Sequence, residues 1–200
     1  MYESKAALRA AALSQRNSLS TEKAEYWGRS IQARVLETPF YRSADAIALY
    51  SSVQNEPATE ELRDHSLHVG KRVFYPRLVS NRSLEFVEIK SVTELIPGKL
   101  GIPEPIGDKV LSHCDEVDLL LIVPGVAFDD HGNRLGRGHA WYDRVIRQWG
   151  SRATPVGLAY EFQVVDCVPV DPWDQKVLFL FTQERFIDCQ SVPEQTKQVC

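Results

Sequence analysis

Cysteine, glycine and long apolar runs are all scarce in this chain of 200 residues, and each scarcity closes off a class of protein. The four cysteines, Cys114, Cys167, Cys189 and Cys200, include no C-x-x-C pair, and no histidine stands at zinc-ligand spacing from them. A chain this long buries enough core to fold without disulfide staples, so reduced thiols are expected. No apolar run is longer than that from Leu119 to Val123, which is far too short to span a bilayer. The opening "MYESKAALRAAALSQRNSLS" is too polar for a secretory signal, and Glu3 sits badly in an organelle transit peptide. A soluble, cytoplasmic protein is expected. Basic residues are not in excess: 23 Lys and Arg stand against 27 Asp and Glu, for a net charge of −4. That balance argues against a dedicated nucleic-acid or anionic-membrane surface. Neither an internal repeat nor a low-complexity block is present.

What remains is an ordinary globular composition, 44% hydrophobic and 25% charged, sized for one domain. The first 37 residues predict two helices divided near "NSLS". In the second, Ala24, Trp27, Ile31 and Val35 recur at helical spacing behind Ser20 or Thr21 as N-cap. "AIALYSSV" (Ala46 to Val53) reads as a buried strand, and "EPATEELRDHSLHVG" as a helix stopped by Gly70. "RVFYP" and "LEFVEI" are short strands, and "LIPGKLGIPEPIGD" is a loop rich in Pro and Gly. "VDLLLIVP" is the strongest strand signal, apolar on both faces as a covered parallel sheet requires. Tyr142, Val145, Ile146 and Trp149 predict a helix from about Gly138 to Gly150, and "TPVGLAY" and "KVLFLFT" supply two more strands. The expected fold is a single α/β domain over residues 1–187, an open, mostly parallel sheet with helices on both faces and two N-terminal helices. A polar tail is expected over residues 188–200.

Only 11 glycines are present, yet four lie in "PGVAFDDHGNRLGRGHAWYDR", Pro124 to Arg144, directly after the strongest strand. Strand, glycine-rich turn and helix form an anion site in physical terms: free N–H groups at a helix start point outward, and the helix dipole adds positive potential. Gly136 and Gly138 would let main chain approach phosphate oxygens, while Arg134 and Arg137 add charge. The spacing matches neither the P-loop nor the dinucleotide fingerprint. On spacing alone, a tight turn into a helix with solvated arginines explains the stretch equally well.

The complete string closely resembles the signature P-G-x-x-F-D-x-x-G-x-R-L-G-x-G-x-G-[YF]-Y-D-R of the 5-formyltetrahydrofolate cyclo-ligase (methenyltetrahydrofolate synthetase) family. The resemblance extends in register to Lys5, Arg9 and Arg16 on the first helix, Glu56 after the first strand, "YPR" (Tyr75 to Arg77), "GIPEP" (Gly101 to Pro105) and "VPVDPWD" (Val168 to Asp174). It implies ATP-dependent closure of 5-formyltetrahydrofolate to 5,10-methenyltetrahydrofolate through a phosphorylated formyl group, an iminium phosphate, with Mg²⁺ as metal. It also implies a nucleotide site of Lys5, Arg9, Arg134, Gly136, Arg137, Gly138, His139, Ala140, Trp141 and Tyr142. Arg9, Arg137 and Tyr142 become the catalytic candidates, and Glu56, Tyr50, Trp141 and Tyr142 the folate contacts, while Asp143 and Asp174 become the Mg²⁺ ligands. The partners are thus a reduced folate and ATP, without nucleic acid or membrane, and a monomer is expected.

Each residue also has a plainer reading. Lys5, Arg9 and Arg16 fall within about 40° of one helix face, which suits a solvated basic stripe, and Arg16 suits a pair with acid on a neighbouring helix. Glu56 and Asp143 suit helix N-termini, and Asp174 suits a turn after Pro172. Tyr50, Tyr75 and Phe86 could line a folate pocket, with core the plainer role for at least one. Of His65, His68, His113, His131 and His139, only the last could reach a phosphate. Three positions depart from the family pattern: Ala140 replaces a glycine, His139 a small or basic residue, and Leu178 a frequent aspartate. Two other readings therefore stay open, a non-catalytic folate- or nucleotide-binding relative and an ATP-dependent enzyme of another small metabolite.

Overall fold

The computed structural model describes residues 4–80, 83–98, 101–112 and 114–191; His113 and Cys200 lie outside them. Helices α1 (Lys5–Asn17) and α2 (Thr21–Leu36) form where the spacing predicts. Ser4 Oγ accepts from the Ala7 N–H at 3.2 Å and Ser20 Oγ from the Lys23 N–H at 3.3 Å, so each helix starts on a serine cap. A short α3 (Pro39–Ser43) follows, and then β1 (Ala46–Ala48). This strand is shorter than "AIALYSSV" predicts, because the chain leaves the sheet to turn at Gln54 and Asn55, both with positive φ. Helix α4 (Glu60–His68) starts four residues after Glu56 and ends as expected before Gly70, whose φ is +80°. It has no side-chain cap of its own. Instead the buried Gln32 of α2 accepts from the N–H groups of Glu61 and Leu62, at 2.9 and 3.1 Å.

Strands β2 (Arg72–Ser80) and β3 (Ser83–Ile89) pair antiparallel. The predicted loop contains a small antiparallel ladder, β4 (Leu95–Pro97) with β5 (Pro103–Pro105), which its prolines concealed. Strand β6 (Leu119–Val123) is buried at all five positions, so both faces of the sheet are covered at its centre. It does not run straight into the glycine turn. The hairpin of β7 (Ala127–Phe128) and β8 (Arg134–Leu135) intervenes before α5 (Trp141–Trp149). The chain closes with β9 (Ala153–Leu158), β10 (Phe179–Phe181) and β11 (Phe186–Asp188). Strand β11 takes in Asp188, where the polar tail was expected to begin.

The seven-stranded sheet runs β11-β10-β9-β6-β1-β2-β3, parallel except for β3 and β11 at its two edges. From β1 the chain first moves to β2 on one side and later to β6 on the other. The strand order therefore reverses between β1 and β6, and a crevice opens beyond their carboxyl ends. A second apolar cluster, Leu8 and Ala12 against Val126, Ala127, Leu135 and Val168, seats α1 on the β7–β8 hairpin beside that crevice. Cys114 and Cys189 are free thiols, but Cys167 is disulfide-bonded, against the expectation of reduced thiols throughout. Thiol state depends on which sulfurs meet in space, and count and spacing do not reveal that. Among the described residues no helix is long and apolar enough to cross a membrane.

Candidate active site

A cavity of about 420 Å³ occupies the crevice between β1 and β6. Tyr50, Ser51 and Val53 reach it from the end of β1, and Pro124, Gly125 and Val126 from the end of β6. Every residue assigned from the family signature to nucleotide, folate or metal lines this one cavity: Lys5, Arg9, Tyr50, Glu56, Asp174 and the run from Arg134 to Asp143.

The turn before α5 is open. Gly138 has φ +103°, a conformation that side chains other than glycine's resist, and no atom lies within 4 Å of where its Cβ would be. Among the described residues, no hydrogen bond takes up the N–H groups of Gly138, His139 and Ala140. Ala140 itself adopts the left-handed conformation, φ 52° and ψ 28°, as the residue before the helix, and makes no side-chain cap. The helix therefore starts at Trp141, three residues later than its spacing predicts, because the turn claims Gly138 to Ala140. The His139 ring stacks on Trp141 at 4.4 Å and 16°.

Charged groups around the turn are already paired. Arg9 Nε donates to the Gly136 carbonyl at 2.9 Å, while its terminal nitrogens have no partner among the described residues. Lys5 Nζ donates to Asp171 and Asp174, each at 2.6 Å. Burial pulls the Lys5 ammonium down, but these two carboxylates outweigh it and leave its pKa raised. Arg134 is buried and donates to Asp143 Oδ1 at 2.8 Å, with its Nε left without a partner. Arg137 donates to Glu56 Oε1 at 2.9 Å and to Gln54 Oε1 at 2.8 Å.

Arg16 corrects the reading of a solvated stripe. It is 0% exposed, donating to the carbonyls of Gln54 and Gly125 at 3.1 and 3.3 Å, with Nη2 3.5 Å from Glu56 Oε1. Burial lowers its pKa, and Glu56 opposes that. Its acid partner sits on a loop, not on a neighbouring helix. Glu56 is thus no exposed helix-end charge but a buried carboxylate between Arg16 and Arg137, carried on the turn of Gln54 and Asn55. Asn55 Nδ2 ties that turn to α1 by donating to the carbonyls of Arg16 and Leu19, both at 3.2 Å.

Tyr50 and Tyr142 line the cavity from the core. Burial raises both pKa values, and the Glu56 charge adds to it, so both hydroxyls keep their protons. The Tyr50 hydroxyl donates to the Pro57 carbonyl at 2.7 Å. Tyr75 and Phe86 are core residues away from the cavity; Phe86 meets Tyr142 edge-on at 6.3 Å. Leu178 lies outside the cavity and serves the sheet, its N–H donating to Pro155. Of the described histidines, only His139 lines the cavity, and His65 Nδ1 instead meets the Tyr41 hydroxyl at 2.8 Å.

Sequence reasoning missed Asp171, Trp173 and Glu104 in the lining, together with the apolar Pro76, Leu78 and Leu84. The signal for the first was its place in the "VPVDPWD" segment, three residues before Asp174 in a proline turn. Trp173 comes with that turn, and the others needed the β4–β5 ladder to be folded against β2 and β3.

Asp143 and Asp174 each keep one carboxylate oxygen without a protein partner among the described residues, Oδ2 and Oδ1 respectively. These are hard donors of the kind Mg²⁺ accepts. No group of three or more His, Cys, Asp or Glu among the described residues could hold a metal unaided, so ligand oxygens would have to complete such a site.

The sequence model of the 5-formyltetrahydrofolate cyclo-ligase family matches residues 1–183. The 5-formyltetrahydrofolate cyclo-ligase of Escherichia coli (strain K12) is 35% identical over 166 residues, spanning 80% of this chain and 89% of that protein. The mouse protein of the same name is 29% identical over 185 residues, 86% of this chain and 90% of its own. The solution structure of Aquifex aeolicus 5,10-methenyltetrahydrofolate synthetase superposes with a TM-score of 0.83 at 29% identity, covering 98% of this chain and 97% of that one. The chain belongs to the 5-formyltetrahydrofolate cyclo-ligase family.

Proposed function

We propose that this protein converts 5-formyltetrahydrofolate to 5,10-methenyltetrahydrofolate at the expense of ATP. The observation that carries the reading is the open turn at Gly138–Ala140, which lines the same cavity as Arg9 and whose N–H groups have no partner among the described residues. A formyl amide is a poor electrophile and hydroxide a poor leaving group. Transfer of the γ-phosphoryl group to the formyl oxygen turns that oxygen into phosphate, an easy leaving group. The N10 amine then attacks the iminium carbon and gives up its proton, the ring closes, and phosphate departs with the oxygen.

Such chemistry asks the protein for position and charge, with no covalent nucleophile. The turn's N–H groups and Arg9 would hold the transferred phosphoryl oxygens. Arg137 adds a second cation, and Lys5 would steady the nucleotide. Glu56, Tyr50 and Tyr142 would orient the folate, and the protonated hydroxyl of Tyr142 is a donor. Asp143 and Asp174 would hold Mg²⁺, which when bound supplies neutralising charge to the phosphates. Ala140 takes the left-handed backbone unaided, so its methyl group does not alter the course of the turn, and Leu178 lies away from the cavity. Both facts favour turnover over a binding-only relative. In the deciding assay the methenyl product's absorbance rises only with 5-formyltetrahydrofolate, ATP and Mg²⁺ together. Folded protein that produces no such rise refutes the proposal.

A further inference from the structure

Glu56, Asp143, Asp171 and Asp174 each answer a cation of the cavity. Glu104 also lines the cavity, but its carboxylate has no hydrogen bond or ion pair among the described residues. We propose that Glu104 is the recognition point for the ring end of the substrate, accepting paired N–H hydrogen bonds from a cyclic guanidine edge such as the 2-amino-4-oxo ring of a reduced pterin. The proposal rests on the folate reading above.

Three features make this carboxylate a built acceptor. First, space is reserved for it: a Cβ at Gly98 would stand 2.5 Å from both Cγ and Cδ of Glu104, so the side chain lies across the bare Cα of the facing strand end. Second, its strand is pinned. The Ser51 hydroxyl donates to the Pro103 carbonyl at 2.7 Å, and Arg77 Nη1 to the Pro105 carbonyl at 3.4 Å and to that of Gly107 just beyond it at 2.6 Å, which ties β5 to β2 and to the loop after β1. Third, the neighbouring lining of Pro76, Leu78, Leu84 and Ile102 is apolar, which suits the faces of a flat ring and strengthens any hydrogen bond made at its edge. A carboxylate with no cation of its own among the described residues disfavours anions beside it. Its two oxygens match two parallel N–H donors, the fork that a guanidine-like edge presents.

Steady-state turnover and direct binding test this together. Glu104→Ala should raise KM for 5-formyltetrahydrofolate at least tenfold while KM for ATP stays within twofold, with Glu104→Gln between it and wild type. Gly98→Ala, which keeps the charge but takes its space, should follow Glu104→Ala. Active wild type with folate KM unchanged in Glu104→Ala and Gly98→Ala overturns the assignment and leaves the activity standing. If wild type is inert, titration with bare pterin by fluorescence quenching decides. Binding weakened tenfold in Glu104→Ala upholds the site and removes only the activity, whereas no binding, or equal binding, removes both.

Discussion

Replacing Ala140 by glycine isolates one strained residue at the centre of the proposed phosphate cradle. A residue with a Cβ pays about 1–2 kcal/mol to sit in the left-handed region, where Ala140 lies at φ 52°. Glycine removes that cost but gives the unfolded chain more freedom, worth about 0.4–1 kcal/mol in the other direction. Ala140 makes no side-chain cap, so no cap is lost with the methyl group. The net is a gain of about 0.5–1 kcal/mol, which for a chain of this size raises Tm by about 1–4 °C. Thermal unfolding followed by circular dichroism, with urea titration as a second measure, reads this directly. Ala140→Val, with its stiffer side chain, should move Tm the other way. A lower Tm for Ala140→Gly would refute the strain argument. Because the main chain already follows the left-handed path, affinity for ATP should change less than about threefold, or about 0.6 kcal/mol. A tenfold gain would instead mean that the methyl group crowds the bound nucleotide.

Arg9→Ala should lower turnover at least tenfold, about 1.4 kcal/mol of barrier, with little change in the urea midpoint, because its one described protein contact is a hydrogen bond to the Gly136 carbonyl. Asp143→Asn should lower turnover as much and also cost about 2–3 kcal/mol of stability, since the buried Arg134 loses its counter-charge. Wild-type kinetics in both variants would remove the phosphate-site assignment. Glu88 tests pH linkage away from the cavity: burial would raise its pKa, but Lys109, Lys90 and Arg72 overcome this and hold it down at about 2. A depressed carboxylate stabilises the fold above its ordinary value and loses that contribution as pH falls toward 2. Glu88→Gln should therefore cost about 1–2 kcal/mol at pH 7, a modest figure because Lys90 and Lys109 are exposed and solvent-screened. The gap from wild type should close between pH 5 and pH 2, and parallel stability curves across that window would contradict the pairing.

The parallel centre of the sheet was legible because β6 is apolar at every position, and α5 because its buried residues recur at helical spacing. The motif around Gly136 and Gly138 was legible because Gly138 sits at φ +103° in an uncovered turn, and a Cβ at Gly136 would stand 2.8 Å from the Arg134 guanidinium. Other features depended on pairings that no local pattern encodes. The strand at Leu95–Pro97 pairs with Pro103–Pro105 across a turn rich in proline and glycine, residues that elsewhere announce a loop. Arg16 follows the same four-residue rhythm as a solvated stripe, yet it is buried, because Leu8 and Ala12 on that rhythm are buried too and carry it inward. Its partner Glu56 arrives from a turn whose left-handed residues, Gln54 and Asn55, carry no glycine to mark it.

The cavity's chemistry is consequently anchored in the core rather than assembled at the surface. Leu8 and Ala12 press α1 against β7 and β8, which brings Arg9 to the Gly136 carbonyl and Lys5 to Asp171 and Asp174. About two turns beyond Arg9, Arg16 links the same helix to Glu56, and Glu56 holds Arg137 of the glycine turn. The turn and the loop after β1 are therefore joined through one carboxylate that faces two guanidinium groups. A buried carboxylate is strongly favoured when two cations face it and much less so with one. Any anion that draws Arg137 away from Glu56 must repay that difference, and any donor that replaces Arg137 at Glu56 lowers it. Ligands for the two ends of the cavity thus each take one member of the Arg137–Glu56 pair, so binding of either lowers the cost of binding the other.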